Sequence, residues 1–318
     1  MTSNPKSELL AIHSGALGDV VLFGRLLERL GGNVALVAGG EKARLLAGLG
    51  VVARAIDFDA LPMHELFADT PLEQCRLPAL LGRCGRMVSC FATGNAAAEQ
   101  RLTEACGTSD ATFLPIRPPA EHAGHLLDLW STRMGLGGDF ARPRAWPVPD
   151  TWRQEAAELL RKAGGEPDAP YVVLHPGAGA VDKCWPVERF LELAKLVQDS
   201  TACKQAVAPG VCFVLGPIER ERWPDGDVEV LRRTFPTLIC PPLAALAGVL
   251  AGAAGFIGND SGVSHLAGAV GAPTVAMFGP TRAEHFAPVG PRVRTIARGS
   301  LPDIDAAEAL AALSALSR

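Results

Sequence analysis

The stretch from Phe256 to Thr281 constrains the fold of this chain more than any other. A short apolar run leads into a polar turn at Gly258–Gly262, and a helix of small residues is predicted from Val263 to Val270. A second apolar strand, Thr274–Phe278, follows. The order strand, turn, helix and strand is typical of α/β folds. Because the first N–H groups of a helix have no partner inside it, the turn is a candidate diphosphate site.

A simpler interpretation is that an acidic or hydroxyl side chain of this turn only caps the helix. Residues 260–281, however, read D-S-G-x-x-H-L-A-x-A-x-G-x-P-T-x-x-x-F-G-P-T. This string resembles the donor-site signature of glycosyltransferase family 9, which includes the heptosyltransferases of the lipopolysaccharide inner core. The resemblance implies that a sugar-nucleotide donor is contacted by Asp260, Ser261, Gly262, His265 and Thr281.

Length and composition set the class of protein. The 318 residues are enough for two domains of about 150 residues each. No apolar run reaches the roughly 18 residues of a membrane-spanning helix, so we expect no transmembrane segment. A net charge of −4 argues against a nucleic acid partner. The N-terminus lacks the pattern of a secretion signal and the eight cysteines form no C-x-x-C pair, so we expect reduced thiols in a cytoplasmic protein.

Short apolar strands alternate with helical segments along the chain, which predicts parallel sheets covered on both faces. The predicted strands of the first half are Glu8–His13, Asn33–Ala38, Val51–Ile56, Arg86–Phe91 and Ala111–Leu114. Those of the second half are Tyr171–Leu174, Val211–Leu215, Thr237–Cys240, Phe256–Ile257 and Thr274–Phe278. An Ala/Leu-rich helix is predicted at Ile304–Ser317, and the sequence does not indicate which domain it packs on.

The proline-rich stretch Arg142–Asp150 is the candidate linker between the two halves. We therefore predict an N-terminal acceptor-side domain, residues 1–145, and a C-terminal nucleotide-sugar-binding domain, residues 146–318. Together with the family resemblance, this predicts an α/β protein of the GT-B class, with two Rossmann-like domains and an interdomain cleft. In such sheets, ligands bind at the carboxyl ends of the strands.

The loop of residues 13–19, H-S-G-A-L-G-D, lies between the first predicted strand and the first predicted helix. An aspartate in the first turn of a helix usually only balances the helix dipole. The resemblance implies more, because family 9 enzymes have in a similar G-x-L-G-D loop the base that deprotonates the acceptor hydroxyl. This assigns Asp19 as the catalytic base, and we assign Gly15 and Gly18 of the same loop to donor binding.

A glycine-rich turn, H-P-G-A-G, follows the first strand of the second domain, and Lys183 comes shortly after it. Backbone donors and one ammonium group suit a diphosphate. A surface lysine is the alternative. The resemblance to the family segment H-P-G-x-x-x-x-x-K-x-W-P implies that Lys183 binds the donor phosphates, and His175 and Gly177 are assigned to the same site.

A carboxylate at the end of a strand can accept both ribose hydroxyls. The segment after Leu215 offers Glu219 and Glu221, and we prefer Glu219, although Pro217 replaces the second glycine that the family usually has here. Three D-x-D strings, at residues 57–59, 225–227 and 303–305, lie beside no phosphate loop. We therefore expect neither a metal site nor another cofactor.

The resemblance implies an inverting glycosyltransferase that moves a sugar, heptose from ADP-heptose, to a hydroxyl of a lipopolysaccharide-core or related glycan or glycolipid acceptor. We expect it to meet that acceptor at the inner membrane surface, as a cytoplasmic protein or one peripheral to the cytoplasmic face. Two alternatives remain open. One is a GT-B-fold epimerase of sugar nucleotides, and the other is a non-catalytic nucleotide-sugar-binding protein.

Overall fold

The computed structural model describes residues 8–137, 143–200, 210–223 and 225–316. The contacts divide the chain into two compact units, Met1–Asp139, called unit 1, and Phe140–Arg318, called unit 2. Arg142 of the predicted linker and Ser317 of the predicted C-terminal helix lie outside the described residues. The domain boundary after residue 145 stays a prediction.

Unit 1 alternates strands and helices. Its elements are β1 (Leu9–Ile12), α1 (Leu17–Leu30), β2 (Val34–Ala38), α2 (Gly40–Gly48), β3 (Arg54–Asp57), α3 (Leu77–Leu81), β4 (Arg86–Ser89), α4 (Ala96–Ala105), β5 (Ala111–Phe113) and α5 (Leu126–Arg133). The strands pair in parallel in the order β3-β2-β1-β4-β5. Every residue of β2 is buried, as expected for a strand that helices cover on both faces.

The strand order of unit 1 determines where the loops after β1 and β4 lie. From β1 the chain turns to β2 on one side, whereas β4 pairs with β1 on the other side. The loops after β1 and β4 therefore leave the carboxyl edge of the sheet in different directions, which opens a crevice between them. The loop of residues 13–19 begins at this point. The first helix begins at Leu17, so Asp19 is its third residue, and the last three residues of the predicted loop belong to the helix.

Unit 2 has a second parallel sheet. Its elements are α6 (Asp150–Lys162), β6 (Tyr171–His175), α7 (Val187–Asp199), β7 (Gly210–Leu215), α8 (Pro217–Arg222), α9 (Asp225–Thr234), β8 (Thr237–Ile239), α10 (Leu243–Gly252), β9 (Gly255–Asn259), α11 (Gly262–Ala269), β10 (Thr274–Phe278), α12 (Ala283–Phe286), β11 (Val293–Ala297) and α13 (Ala306–Leu316). The order is β11-β10-β9-β6-β7-β8, with all pairs parallel. The predicted α/β class with two parallel sheets is confirmed.

In unit 2 the direction of winding reverses between β6 and β9, which are neighbours. The glycine-rich turn follows β6 and the Asp260–Gly262 turn follows β9, so both predicted phosphate loops leave the sheet at the same switch point. One prediction here was wrong. Gly258 and Asn259 belong to β9 and not to the turn, because Gly258 pairs with both β6 and β10 and Asn259 pairs with β10.

Two features of unit 2 were not predicted. The edge strand β11 carried no clear apolar pattern, since most of its residues are partly exposed. The C-terminal helix α13 packs into the core of unit 2. A Cβ atom built on Gly255 of β9 would lie 2.6 Å from Cδ2 of Leu313, which shows how closely the helix approaches this strand.

No helix within the described ranges combines the length and the apolar character that crossing a bilayer requires.

Candidate active site

Asn259 organises the loops at the switch point of unit 2. Its side chain is fully buried at the end of β9. The amide Nδ2 donates to the carbonyl oxygen of Pro176 at 2.7 Å, and Oδ1 accepts from the N–H of Trp185 at 3.1 Å. One side chain therefore ties both ends of the loop that follows β6 to the neighbouring strand. The sequence included Asn259 in a polar turn but did not reveal this role.

The ion pair between Lys183 and Asp260 joins the two predicted phosphate-binding segments. Nζ of Lys183 lies 2.9 Å from Oδ2 of Asp260, and the side chains are 33% and 11% exposed. Lys183 ends a short 3-10 turn, Val181–Lys183. The surface-lysine interpretation therefore does not describe its setting. The structure instead places an ammonium group at the head of α11, where the dipole of this helix is positive.

Ser261 caps α11. Its hydroxyl accepts from the N–H of Ser264 at 3.4 Å, while the hydroxyl of Ser264 donates to the carbonyl oxygen of Asn259 at 2.5 Å. The capping interpretation of the turn is thus correct for Ser261. It does not exclude an anion site, because one hydroxyl satisfies only part of the four N–H groups that lack partners within a helix.

His175 ends β6 and is buried. Its Nδ1 lies 2.8 Å from the carbonyl oxygen of Val214, and since a carbonyl can only accept, Nδ1–H is the donor. The neutral ring therefore has its lone pair on Nε2. Burial lowers the pKa of His175 and outweighs the Glu219 carboxylate and the Val214 carbonyl, which both raise it.

Glu219 packs against the glycine-rich turn. It is 4% exposed, and its Oε2 accepts from the N–H of Gly216 at 2.6 Å. A Cβ atom built on Gly177 would lie 2.0 Å from Oε1 of Glu219, so only glycine at residue 177 leaves room for this carboxylate. Glu221, the alternative ribose partner, is exposed. The geometry thus favours Glu219 over Glu221 as a group that faces the turn.

The other two predicted residues of unit 2 lie near the same edge of the sheet. His265 is buried on α11. Thr281 is half-buried in the loop after β10. In that loop, a Cβ atom on Gly279 would be 3.6 Å from the carbonyl oxygen of Asp182, so the loop runs beside the turn that carries Lys183.

The remaining predicted residues belong to unit 1. Asp19 is half-buried, and its Oδ2 accepts from the N–H of Ala16 at 3.0 Å. Gly18 is buried in the first turn of α1. Burial first, and the charge of Asp19 second, raise the pKa of Cys90, which follows β4. The predicted base thus stands where the crevice of this sheet opens.

Metal binding has no candidate centre within the described residues, where no group of three or more histidine, cysteine, aspartate or glutamate side chains could hold an ion.

Comparison with known proteins identifies similar sequences. Residues 136–311, more than half of the chain, match the model of glycosyltransferase family 9 (heptosyltransferase). The chain is 32% identical over 142 residues to lipopolysaccharide heptosyltransferase 1 of Pseudomonas aeruginosa, a match that covers 45% of this chain and 38% of that protein. It is 24% identical over 170 residues to lipopolysaccharide heptosyltransferase 2 of Escherichia coli, covering 51% and 46%. Each match therefore spans less than half the length of the relative.

A likeness to solved structures covers more of the chain. The structure of E. coli ADP-heptose lipopolysaccharide heptosyltransferase II has a TM-score of 0.70, with 18% identity and 98% of both chains covered. At this identity the likeness concerns the fold alone. It confirms the predicted GT-B class of two Rossmann-like domains.

Proposed function

Since the chain belongs to glycosyltransferase family 9, we propose that it is an inverting glycosyltransferase that moves heptose from ADP-heptose to a hydroxyl of a lipopolysaccharide-core or related glycan. The observation that carries this proposal is the ion pair of Lys183 with Asp260 at the head of α11. It brings a cation, a helix N-terminus and the glycine-rich turn together at one switch point. This combination suits a pyrophosphate group.

The donor is held by unit 2 in this proposal. Lys183 and the N-terminus of α11 bind the diphosphate, and Glu219 accepts hydrogen bonds from the ribose hydroxyls. Glu219 is suited to this role because its Oε2 is already held by the N–H of Gly216 at 2.6 Å, which fixes the carboxylate beside the turn. The loop after β10, with Thr281, adds a hydroxyl donor near the same edge.

The chemistry is a single displacement. Asp19 accepts the proton of the acceptor hydroxyl, the hydroxyl oxygen attacks the anomeric carbon, and the bond from that carbon to the diphosphate oxygen breaks. The leaving diphosphate gains negative charge, which Lys183 and the dipole of α11 stabilise without requiring a metal ion. The half-buried setting of Asp19, at the carboxyl edge of its sheet, supports its role as the base.

Identification of the donor is the first test. Thermal-shift measurements with ADP-heptose, UDP-glucose, UDP-N-acetylglucosamine and GDP-mannose should show the largest rise in melting temperature for ADP-heptose, because among ligands that bind only the native state at one concentration the tightest stabilises it most. A larger rise with a UDP-sugar, or release of an isomerised UDP-sugar without any acceptor, would favour the epimerase alternative.

The role of Asp19 is tested against a matched residue. Asp128 also lies in the first turn of a helix of unit 1, α5, and is exposed. If both aspartates only balance a helix dipole, their alanine variants should behave alike. We expect D19A to lose transfer by at least about 10²-fold while its affinity for the donor stays normal, and D128A to remain active.

Lys183→Ala should change both quantities, unlike D19A. Because it removes a charge from the donor site, it should weaken donor binding as well as turnover. Normal turnover by D19A would refute the role of Asp19 as the base. Turnover undetectable in the wild type with every acceptor, despite tight donor binding, would support the non-catalytic alternative.

A further inference from the structure

Gly15, four residues before Asp19, has both of its backbone polar groups bound by side chains. Its N–H donates to Nδ1 of His13 at 2.9 Å, and its carbonyl oxygen accepts from Nζ of Lys42 at 2.6 Å. The next N–H along the chain, that of Ala16, donates to Oδ2 of Asp19 at 3.0 Å. Three successive backbone groups are thus bound by side chains from the end of β1, from α2 and from α1.

The three side chains are close to one another at this loop. A Cβ atom built on Gly15 would lie 2.5 Å from Cε1 of His13 and 2.8 Å from Oδ2 of Asp19. His13 and Asp19 therefore contact the same face of the loop, and Gly15 is the residue that allows it. A shift of the loop peptide would move the N–H of Ala16, which fixes the orientation of the Asp19 carboxylate.

We infer that His13 and Lys42 are positioning residues for Asp19, which hold the backbone of Gly15 so that the carboxylate faces the acceptor hydroxyl. This rests on the proposed role of Asp19 as the base. Neither residue touches the reacting atoms in this assignment. Lys42 carried no signal in the sequence, because it stands 23 positions after Asp19 in a helix that shows no motif.

The hydrogen bond to Nδ1 requires a neutral imidazole. His13 is buried, with the rings of Phe23 and Trp130 at centroid distances of 5.3 and 6.2 Å. Burial first, and the charge of Lys42 second, lower the pKa of His13 to about 4. The Asp19 carboxylate of α1 also faces this loop. His13 thus stays neutral near pH 7, and protonation of Nδ1 at low pH would break the hydrogen bond from the N–H of Gly15.

The first experiment compares Lys42→Met with Lys162→Met, which removes an exposed lysine from α6 of unit 2. For K42M we expect kcat to fall roughly ten- to hundredfold, the cost of a catalytic group displaced by about 1 Å, with a much smaller change in the Kd for ADP, whose diphosphate unit 2 binds in the proposed function. K42R should recover part of the loss, and K162M should match the wild type.

The second experiment uses the hydrogen-bond acceptor of His13. His13→Asn keeps an acceptor atom at the place of Nδ1, whereas His13→Leu does not. We expect H13N to retain several times more activity than H13L, although both remove the imidazole. Equal activity of the two variants, or normal kcat in K42M, would overturn the inference.

A third measurement does not depend on turnover. NMR titration of the His13 ring should give a pKa near 4 in the wild type and a higher pKa in K42M, because the lysine charge is gone. Amide exchange at Gly15 should be faster in K42M. If the wild type has no transferase activity but K42M still shows both changes relative to it, the proposed function is refuted and the positioning of the loop stands. An exchange rate that is the same in K42M and the wild type would refute the positioning itself.

Discussion

Replacing Gly177 with alanine tests whether Glu219 is held where a donor would need it. The added Cβ atom would lie 2.0 Å from Oε1 and 2.1 Å from Cδ of Glu219. Non-bonded atoms prefer separations of about 3.5 Å, so the carboxylate must move by roughly 1.5 Å. Such a movement breaks the 2.6 Å hydrogen bond from the N–H of Gly216. A hydrogen bond to a charged group contributes about 1.5–3 kcal/mol.

Gly179 of the same turn provides the matched control. Nothing lies within 4 Å of a Cβ atom built there, and neither glycine has a left-handed φ. Gly179→Ala should therefore be neutral, or stabilising by about 0.4–1 kcal/mol. For Gly177→Ala we expect the unfolding free energy to fall by about 1.5–3 kcal/mol and the Kd for ADP to rise about 10- to 150-fold. Urea unfolding and calorimetric titration with ADP measure the two quantities.

A double-mutant cycle assigns the effect to the contact. In a Glu219→Ala background the added methyl group meets no carboxylate. Gly177→Ala should then change the free energy of ADP binding by less than about 0.5 kcal/mol, the deviation expected for mutations that do not interact. Equal Kd values for G177A and G179A in the otherwise native chain would refute the reasoning. So would a full effect of G177A in the absence of Glu219.

Two further predictions concern buried polar groups. Asn259→Ala should lower the unfolding free energy by about 2–4 kcal/mol, because it leaves the Pro176 carbonyl and the Trp185 N–H unpaired in the interior; a thermal melt unchanged from that of the wild type would contradict this. For His13, a native pKa of about 4 against 6.5 when unfolded means that the unfolded chain gains a proton first, so stability falls by up to about 3 kcal/mol as the pH drops from 6.5 to 4. Urea unfolding at pH 7 and pH 4 should show this loss in the wild type, and His13→Asn, which does not titrate, should lack this part of it.

The fold class could be predicted from the sequence because secondary structure follows local patterns. Runs such as Val34–Ala38, apolar at nearly every position, are typical of strands buried on both faces, and the glycine-rich turns mark where such strands end. The edge strand Val293–Ala297 was not predicted because most of its residues are partly exposed and form no apolar run. The packing of α13 could not be predicted for another reason: an Ala/Leu helix fits many apolar surfaces.

The candidate site, like the fold, could be predicted only in part from the sequence. Motifs along the chain singled out Asp19, Lys183, Glu219 and the Asp260–Gly262 turn as separate candidates, each with an alternative. The structure decided which of those in unit 2 meet, since the pairing of Lys183 with Asp260 joins residues 77 positions apart.

Roles that no motif indicates became visible only in the tertiary structure. Lys42 and Asn259 bind backbone groups of distant loops. Because nearly every residue has the same backbone groups, the sequence does not show which residues these side chains bind. The sequence by itself determined the class of the fold and most of its strands and helices, because these follow local patterns. Strand order and packing decided which loops lie side by side, because those contacts depend on the neighbours of each strand and on the need to satisfy polar groups removed from water.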